Sequence, residues 1–226
     1  MLQPVTVEVA DPAEALQESL DAAPGTTRAQ ILKRAALGGG SLLVGGVAFG
    51  GIPSLAFGAS ASDDAKILNF ALLLEYLEAA FYTEAEQKGQ LQGEARNFAH
   101  VVGGHERAHR DFLKKALGSQ AIASPSFDFS DTTSQTDKFI VTAIALEDTG
   151  VGAYNGQGAN LTKATLAVAA EVVSVEARHA AWIRDIADLS SLVMSKPAGG
   201  PAPDAFDPLL TKSQVLQRVN STGFVK

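Results

Sequence analysis

The sequence predicts an all-α fold: an antiparallel four-helix bundle with a long connection between its second and third helices and a C-terminal tail. Three observations point there. Apolar residues make up 46% of the 226 residues but aromatics only 7%, a mix rich in Ala, Leu and Val that suits closely packed helices better than a β-sandwich. Beyond residue 62, four long segments repeat apolar residues at three- and four-residue spacing, with no convincing strand alternation. Gly and Pro punctuation separates those segments where helices would have to stop.

The first segment runs from about Asp63 to Lys88, with Ser62 and Asp63 as N-cap candidates and Gly89 as the stop. The second runs from about Gln92 to Leu117 and ends at Gly118. A Ser/Pro/Phe/Asp-rich connection follows over residues 119–133, where Pro125 bars helix continuation. The third segment covers about Ser134 to Gly156 and the fourth about Lys163 to Leu192. Lys196-Pro197-Ala198-Gly199-Gly200-Pro201 then breaks the pattern, and the tail from Phe206 holds one short helix around Lys212 to Val219. Short first and third connections with a longer middle one suit such a bundle. The chain thus divides into residues 1–61, 62–192 and 193–226.

Residues 1–61 read as an export signal. After an acidic stretch come Thr27-Arg28-Ala29-Gln30-Ile31-Leu32-Lys33-Arg34, a weakly hydrophobic Gly-rich run to Gly58, and the small residues Ala59-Ser60-Ala61 that a signal peptidase requires. The long n-region and the Thr-Arg-x-x-Ile-Leu-Lys core resemble a twin-arginine signal, although Ala29 occupies the place of the second arginine. That departure leaves the export route open. The rival reading is an uncleaved membrane anchor over residues 35–58, which eight glycines and Pro53 dilute. Cleavage after Ala61 leaves residues 62–226 with fifteen basic and twenty acidic residues, a net charge of −5.

The whole chain carries a formal charge of −7 and no long basic run, so nothing in it points to nucleic acid. It has no cysteine, which excludes disulfides, cysteine-held zinc and iron–sulfur clusters. Any metal must be held by His, Glu or Asp.

The chemistry lies in charged residues that fall on apolar stripes. In the second segment Ala99, Val102, Glu106, His109 and Leu113 share one face, and in the fourth Ala169, Val172, Glu176, His179 and Ile183 do. Each places Glu-x-x-His one helical turn apart. Glu147 stands on the stripe of the third segment, with Ile140, Ala143, Val151 and Tyr154, and Glu75 on that of the first, with Leu68, Leu72, Ala79 and Tyr82. Four carboxylates converging in an apolar core repel one another and lose hydration. No Lys or Arg lies on these stripes to offset them, whereas two divalent ions would. One Glu from each of two helices plus Glu-x-x-His from each of the other two is the donor set of di-iron and di-manganese bundles. The expected ligands are Glu75, Glu106, His109, Glu147, Glu176 and His179. Glu78 also borders the apolar face of the first segment and competes with Glu75 for the role.

The segment Leu68-Asn69-Phe70-Ala71-Leu72-Leu73-Leu74-Glu75-Tyr76-Leu77-Glu78-Ala79-Ala80-Phe81-Tyr82 resembles the opening helix of bacterial ferritin-like domain proteins related to plant desiccation-related proteins. The resemblance spans about residues 64–192, and the ligand pattern is similar to that of bacterioferritins, rubrerythrins and manganese catalases. Such proteins often carry a tyrosine seven residues after a ligand glutamate, near the metals. Tyr82 stands seven after Glu75 and Tyr154 seven after Glu147. This favours Glu75 over Glu78 and marks Tyr82 and Tyr154 as candidate catalytic neighbours of the metals; the alternative is that they fill the core with satisfied hydroxyls.

The resemblance implies two iron or manganese ions per chain and redox chemistry with oxygen, peroxide or ferrous iron, in stress protection outside the cytoplasm. Its alternative is a non-catalytic, desiccation-associated protein with a structural metal site. A rubrerythrin-type protein would add a four-cysteine module, which a chain without cysteine lacks. A homodimer is a further expectation, with no interface legible. His100 and His105 read as exposed or supporting groups, Trp182 and Phe112 as core or interface, and Gly103, Gly104, Gly150, Gly152 and Gly156 as sites of close helix packing.

Overall fold

The computed structural model describes residues 61–190 and 200–226. The expected signal and the alternative anchor both fall almost wholly within residues 1–60, outside the described residues. Among those described, no helix is long and apolar enough to cross a membrane.

Four long helices form: α1 (Ala61–Lys88), α2 (Gly93–Leu117), α3 (Thr136–Gly158) and α4 (Lys163–Leu189), followed by a short α5 (Lys212–Thr222). Helix α1 already includes Ser62 and Asp63, so these open its first turn instead of capping it. Asp63 and Asp64 there complement the positive end of the helix dipole. Gly89 ends α1 with φ 63°, and Gly118 ends α2 with φ 55°, backbone angles that cost glycine nothing.

Helix α1 packs chiefly on α2, and α3 on α4. The connection between these pairs sets the topology. Near its start, Asn69 of α1 donates to the Gln120 carbonyl (2.9 Å) and accepts from the Ile122 amide (2.8 Å). Near its end, Lys88 donates to Ser130 O (2.9 Å) and Thr133 Oγ1 (2.7 Å). The connection therefore runs the length of α1, and α3 starts at the end where α1 stops. Each pair is antiparallel inside, while α2 and α3 run parallel, the arrangement of a bundle with one long crossover.

The two ends of the bundle are locked differently. At one end Asp64 of α1, 2% exposed, accepts from the Thr162 amide (3.1 Å) and hydroxyl (2.6 Å) and from Thr165 Oγ1, capping α4 from another helix. Toward the other, Phe81, Phe98 and Phe139 close over the core with Tyr82, with Phe81 and Phe139 stacked at 5.3 Å. Trp182 packs edge-on against Phe98 at 5.1 Å.

The tail docks on α3. The Leu210 amide donates to the Gly152 carbonyl (2.9 Å), and a Cβ on Gly156 would fall 1.9 Å from Leu210 O. Gly152 and Gly156 thus make room for the tail, where the sequence pointed to helix–helix packing. Gly103 does serve that packing, since a Cβ there would meet the Tyr82 Cβ of α1 at 3.0 Å. Helix α5 opens with a Thr211–Gln214 capping box and buries Val215 and Val219. Beyond it the Asp128 amide donates to Phe224 O (2.9 Å) and the Lys226 amide to Ser126 O (3.0 Å), tying the tail to the crossover.

Candidate metal centre

Each long helix delivers one glutamate to the middle of the bundle, and Glu75, Glu106, Glu147 and Glu176 are each 0% exposed. They stand on stripes that are otherwise apolar, so the burial that builds the core also desolvates them. His109 follows Glu106 by three residues and His179 follows Glu176 by three, which brings both rings to the same level, 6.3 Å between centroids.

Donor atoms converge in two overlapping groups. Glu75, Glu106, His109 and Glu176 form one, and Glu106, Glu147, Glu176 and His179 the other, with the donor atoms of each within 4.8 Å of one another. Glu106 and Glu176 belong to both. His109 Nδ1 lies 2.9 Å from Glu176 Oε1, 3.4 Å from Glu106 Oε2 and 3.6 Å from Glu75 Oε2. His179 Nδ1 lies 3.1 Å from Glu106 Oε1 and 3.3 Å from Glu147 Oε2.

Several of these short approaches are not aligned hydrogen bonds. Among the described residues, the buried side-chain atoms without a hydrogen-bond partner are Glu75 Oε2, Glu106 Oε1, Glu147 Oε2, both oxygens of Glu176 and His179 Nδ1. Unsatisfied buried groups are rare in native folds. Here all of them belong to five of the six expected ligands, and they face common points. These groups of buried donors could hold a metal ion, and their oxygen and nitrogen character suits a first-row transition metal.

The other atoms of these side chains are held from behind. Tyr82 of α1 donates to Glu147 Oε1 of α3, and Tyr154 of α3 donates to Glu75 Oε1 of α1 at 2.5 Å. The exchange is reciprocal because α1 and α3 run antiparallel and each tyrosine stands two turns beyond its own helix's glutamate. Each tyrosine occupies one carboxylate oxygen and leaves Oε2 turned inward. Burial, then the neighbouring glutamate charge, pushes both phenols well above their ordinary pKa, so both remain neutral donors.

His105, which the sequence marks as an exposed or supporting group, supports His179. Its Nδ1 lies 2.9 Å from His179 Nε2, and the two rings stack at 5.1 Å. With Nε2 engaged by His105, His179 presents Nδ1 to the carboxylates. His105 is adjacent in sequence to Glu106 and points off the ligand face of α2, but α4 crosses close enough for His179 to meet it. His100 stays exposed, 3.7 Å from Glu86.

Protonation follows the geometry. Burial alone would lower the His179 pKa, but the carboxylates of Glu106 and Glu147 beside it raise it to about 10. His109 is raised likewise, by Glu106, Glu176 and Glu75 against burial. Burial raises Glu75 to about 7 and moves Glu147 and Glu176 upward. Glu106 alone goes down, to about 2, because the two histidines outweigh its burial. In the absence of metal, protons on these groups offset the four converging charges.

Glu78, the competing choice on α1, is also buried, at 3% exposure, but it belongs to neither group of converging donors. Comparison with known proteins completes the picture. No curated protein matches the chain. Residues 63–188, more than half of the chain, match the model of the ferritin-like domain family, and the chain therefore belongs to that family.

Proposed function

We propose that the protein is an exported oxidoreductase that binds two iron or manganese ions and acts on oxygen, peroxide or ferrous iron. In this reading Glu75 and His109 serve one ion, Glu147 and His179 serve the other, and Glu106 and Glu176 are shared by both. The observation that carries it is the set of partnerless buried atoms, all of them on expected ligands. Four glutamates balance the charge of two divalent ions, so the loaded core is neutral where the empty one must hold protons.

When bound, iron or manganese supplies electron transfer that no side chain of this chain provides. The protein's own groups do the rest. Tyr82 and Tyr154 hold one oxygen each of Glu147 and Glu75 and keep the other directed inward. His105 holds His179. The aromatic layer of Phe81, Phe98 and Phe139 excludes water from one side. The side chain of His109 is 13% exposed and His105 lies at the surface, so access from solvent is on the α2–α4 side. Export rests on the reading of residues 1–61, and a twin-arginine route would allow the metals to be inserted before transport of the folded protein.

One observation favours a second reading, a structural metal site in a non-catalytic, stress-associated protein: all four carboxylates are completely buried. Peroxide consumption by the metal-loaded protein separates the two. Turnover above that of free metal, abolished by Glu106→Ala or Glu176→Ala, is expected for the oxidoreductase. Stoichiometric metal without turnover would leave the structural reading, and unchanged metal uptake by both variants would sink both.

A further inference from the structure

The tail lies beyond residues 63–188, which match the family, and it carries apolar side chains that the core does not take up. Residues 201–209 are all exposed, with Phe206 at 89% and Leu209 at 72%. Their neighbour Leu210 is buried and its amide is bound to the Gly152 carbonyl. The run is therefore fixed to α3 at one end while Phe206 and Leu209 stand in solvent. Single apolar residues at a surface are ordinary. Here two of them flank Asp207-Pro208, where the proline restricts the backbone on both sides of itself. The result is a stiffened apolar peg with one negative charge at its centre.

The same chain carries a groove of complementary character. It lies between α3 and α5, holds about 540 Å³, and falls within the range of about 300–1,000 Å³ typical of ligand pockets. Buried Leu146, Val219 and Phe224 line it together with exposed Val141. Two charged residues also line it. Asp148 is paired with Arg184, whereas the exposed Arg218 has no ion-pair partner among the described residues. The groove is thus apolar with one uncompensated positive charge. The peg of the same chain does not line it. Leu210 holds the peg at the start of α5, while the groove lies beside its last turns, and α5 is about 16 Å long.

We propose that the groove receives the Phe206–Leu209 peg of a second copy of this chain, with Asp207 of one copy paired to Arg218 of the other. A two-fold axis crossing α5 near its middle exchanges the two ends of that helix, so both pegs meet both grooves at once and the contact closes as a dimer. The exposed residues of α5 between the two ends include Ser213, Gln217 and Asn220, so the helices approach there without like charges. Because Pro208 has already restricted the peg, docking costs it little further freedom.

Analytical ultracentrifugation of the full chain over a range of concentrations tests this. Wild type is expected to form a reversible dimer. Phe206→Ser is expected to weaken it by about 30-fold, as loss of a central aromatic anchor does. Asp207→Arg and Arg218→Asp each bring like charges together and are expected to weaken it, while the double variant reverses the pair and is expected to restore it. All three positions are exposed, so the variants should keep the helical circular dichroism of wild type. A chain that stays monomeric throughout would overturn the proposal. So would a dimer indifferent to Phe206→Ser, which would place the contact on another face, or a double variant that associates no more tightly than the single ones.

Discussion

Raising the pH from 6 to 8 should tighten metal binding steeply, because the metal-free site stores protons where the ions would sit. His179 has a pKa of about 10 and His109 is raised as well, so both imidazoles are protonated at pH 7. A metal ion can take the Nδ1 of either only after the proton leaves. Removing the His179 proton at pH 7 costs about 4 kcal/mol at roughly 1.4 kcal/mol per unit, and the metal–ligand bonds must exceed that. Glu75, at about 7, gives up a further fraction of a proton. At least two protons should thus leave per pair of ions, and the overall two-ion constant should rise by about 100-fold per pH unit or more. Calorimetric titration with manganese(II) in two buffers of different ionisation enthalpy counts the protons directly. The metal-free protein should respond in the opposite sense. The folded pKa of Glu75 exceeds its ordinary 4.5, so its stabilising contribution is complete below 4.5 and lost by about 7. That of His179 is complete below 6.5 and lost as the pH rises through about 10. Urea midpoints of the metal-free protein should therefore fall from pH 6 to pH 9. Fewer than one proton released per ion pair, with affinity flat across the range, would refute the reasoning.

Three further outcomes follow from the supporting contacts. Tyr154→Phe leaves Glu75 Oε1 without its donor, which should cost about 1–3 kcal/mol of stability in urea denaturation and about 10- to 100-fold in metal affinity. His105→Ala frees His179 Nε2; cobalt titration should show about tenfold weaker binding of one ion only, while His105→Asn, which offers a carbonyl acceptor, should recover part of it. Gly156→Ala would raise helix propensity by about 1 kcal/mol in isolation. Because the new Cβ falls 1.9 Å from Leu210 O, the variant should instead lower the melting temperature and expose residues 200–226 to proteolysis.

The bundle was legible because its signal is local. Apolar spacing placed α1 to α4 within three residues of their observed ends, and Gly89 and Gly118 mark stops that glycine's permitted φ explains. The six residues that the fold gathers were legible because charged side chains on apolar stripes stand out without any tertiary knowledge. What escaped depends on contacts between elements distant in sequence. Gly152 and Gly156 read as helix-packing glycines, and nothing local says that Leu210, more than fifty residues on, fills the space above them. His105 read as an exposed or supporting group, but that the residue it supports is His179 follows only from the position of α4. Glu75 and Glu78 both border one stripe, and both are buried. Only the donor arrangement separates them: among the described residues Glu75 stands in a group of converging donors and Glu78 in none.

The most direct test is the metal content of residues 62–226, purified without added metal or chelator and measured by elemental mass spectrometry beside a protein assay. Close to two iron or manganese ions per chain is the expected result. A folded, helical protein that takes up no metal, even after anaerobic loading with iron(II) or manganese(II), would contradict the dimetal centre and everything built on it.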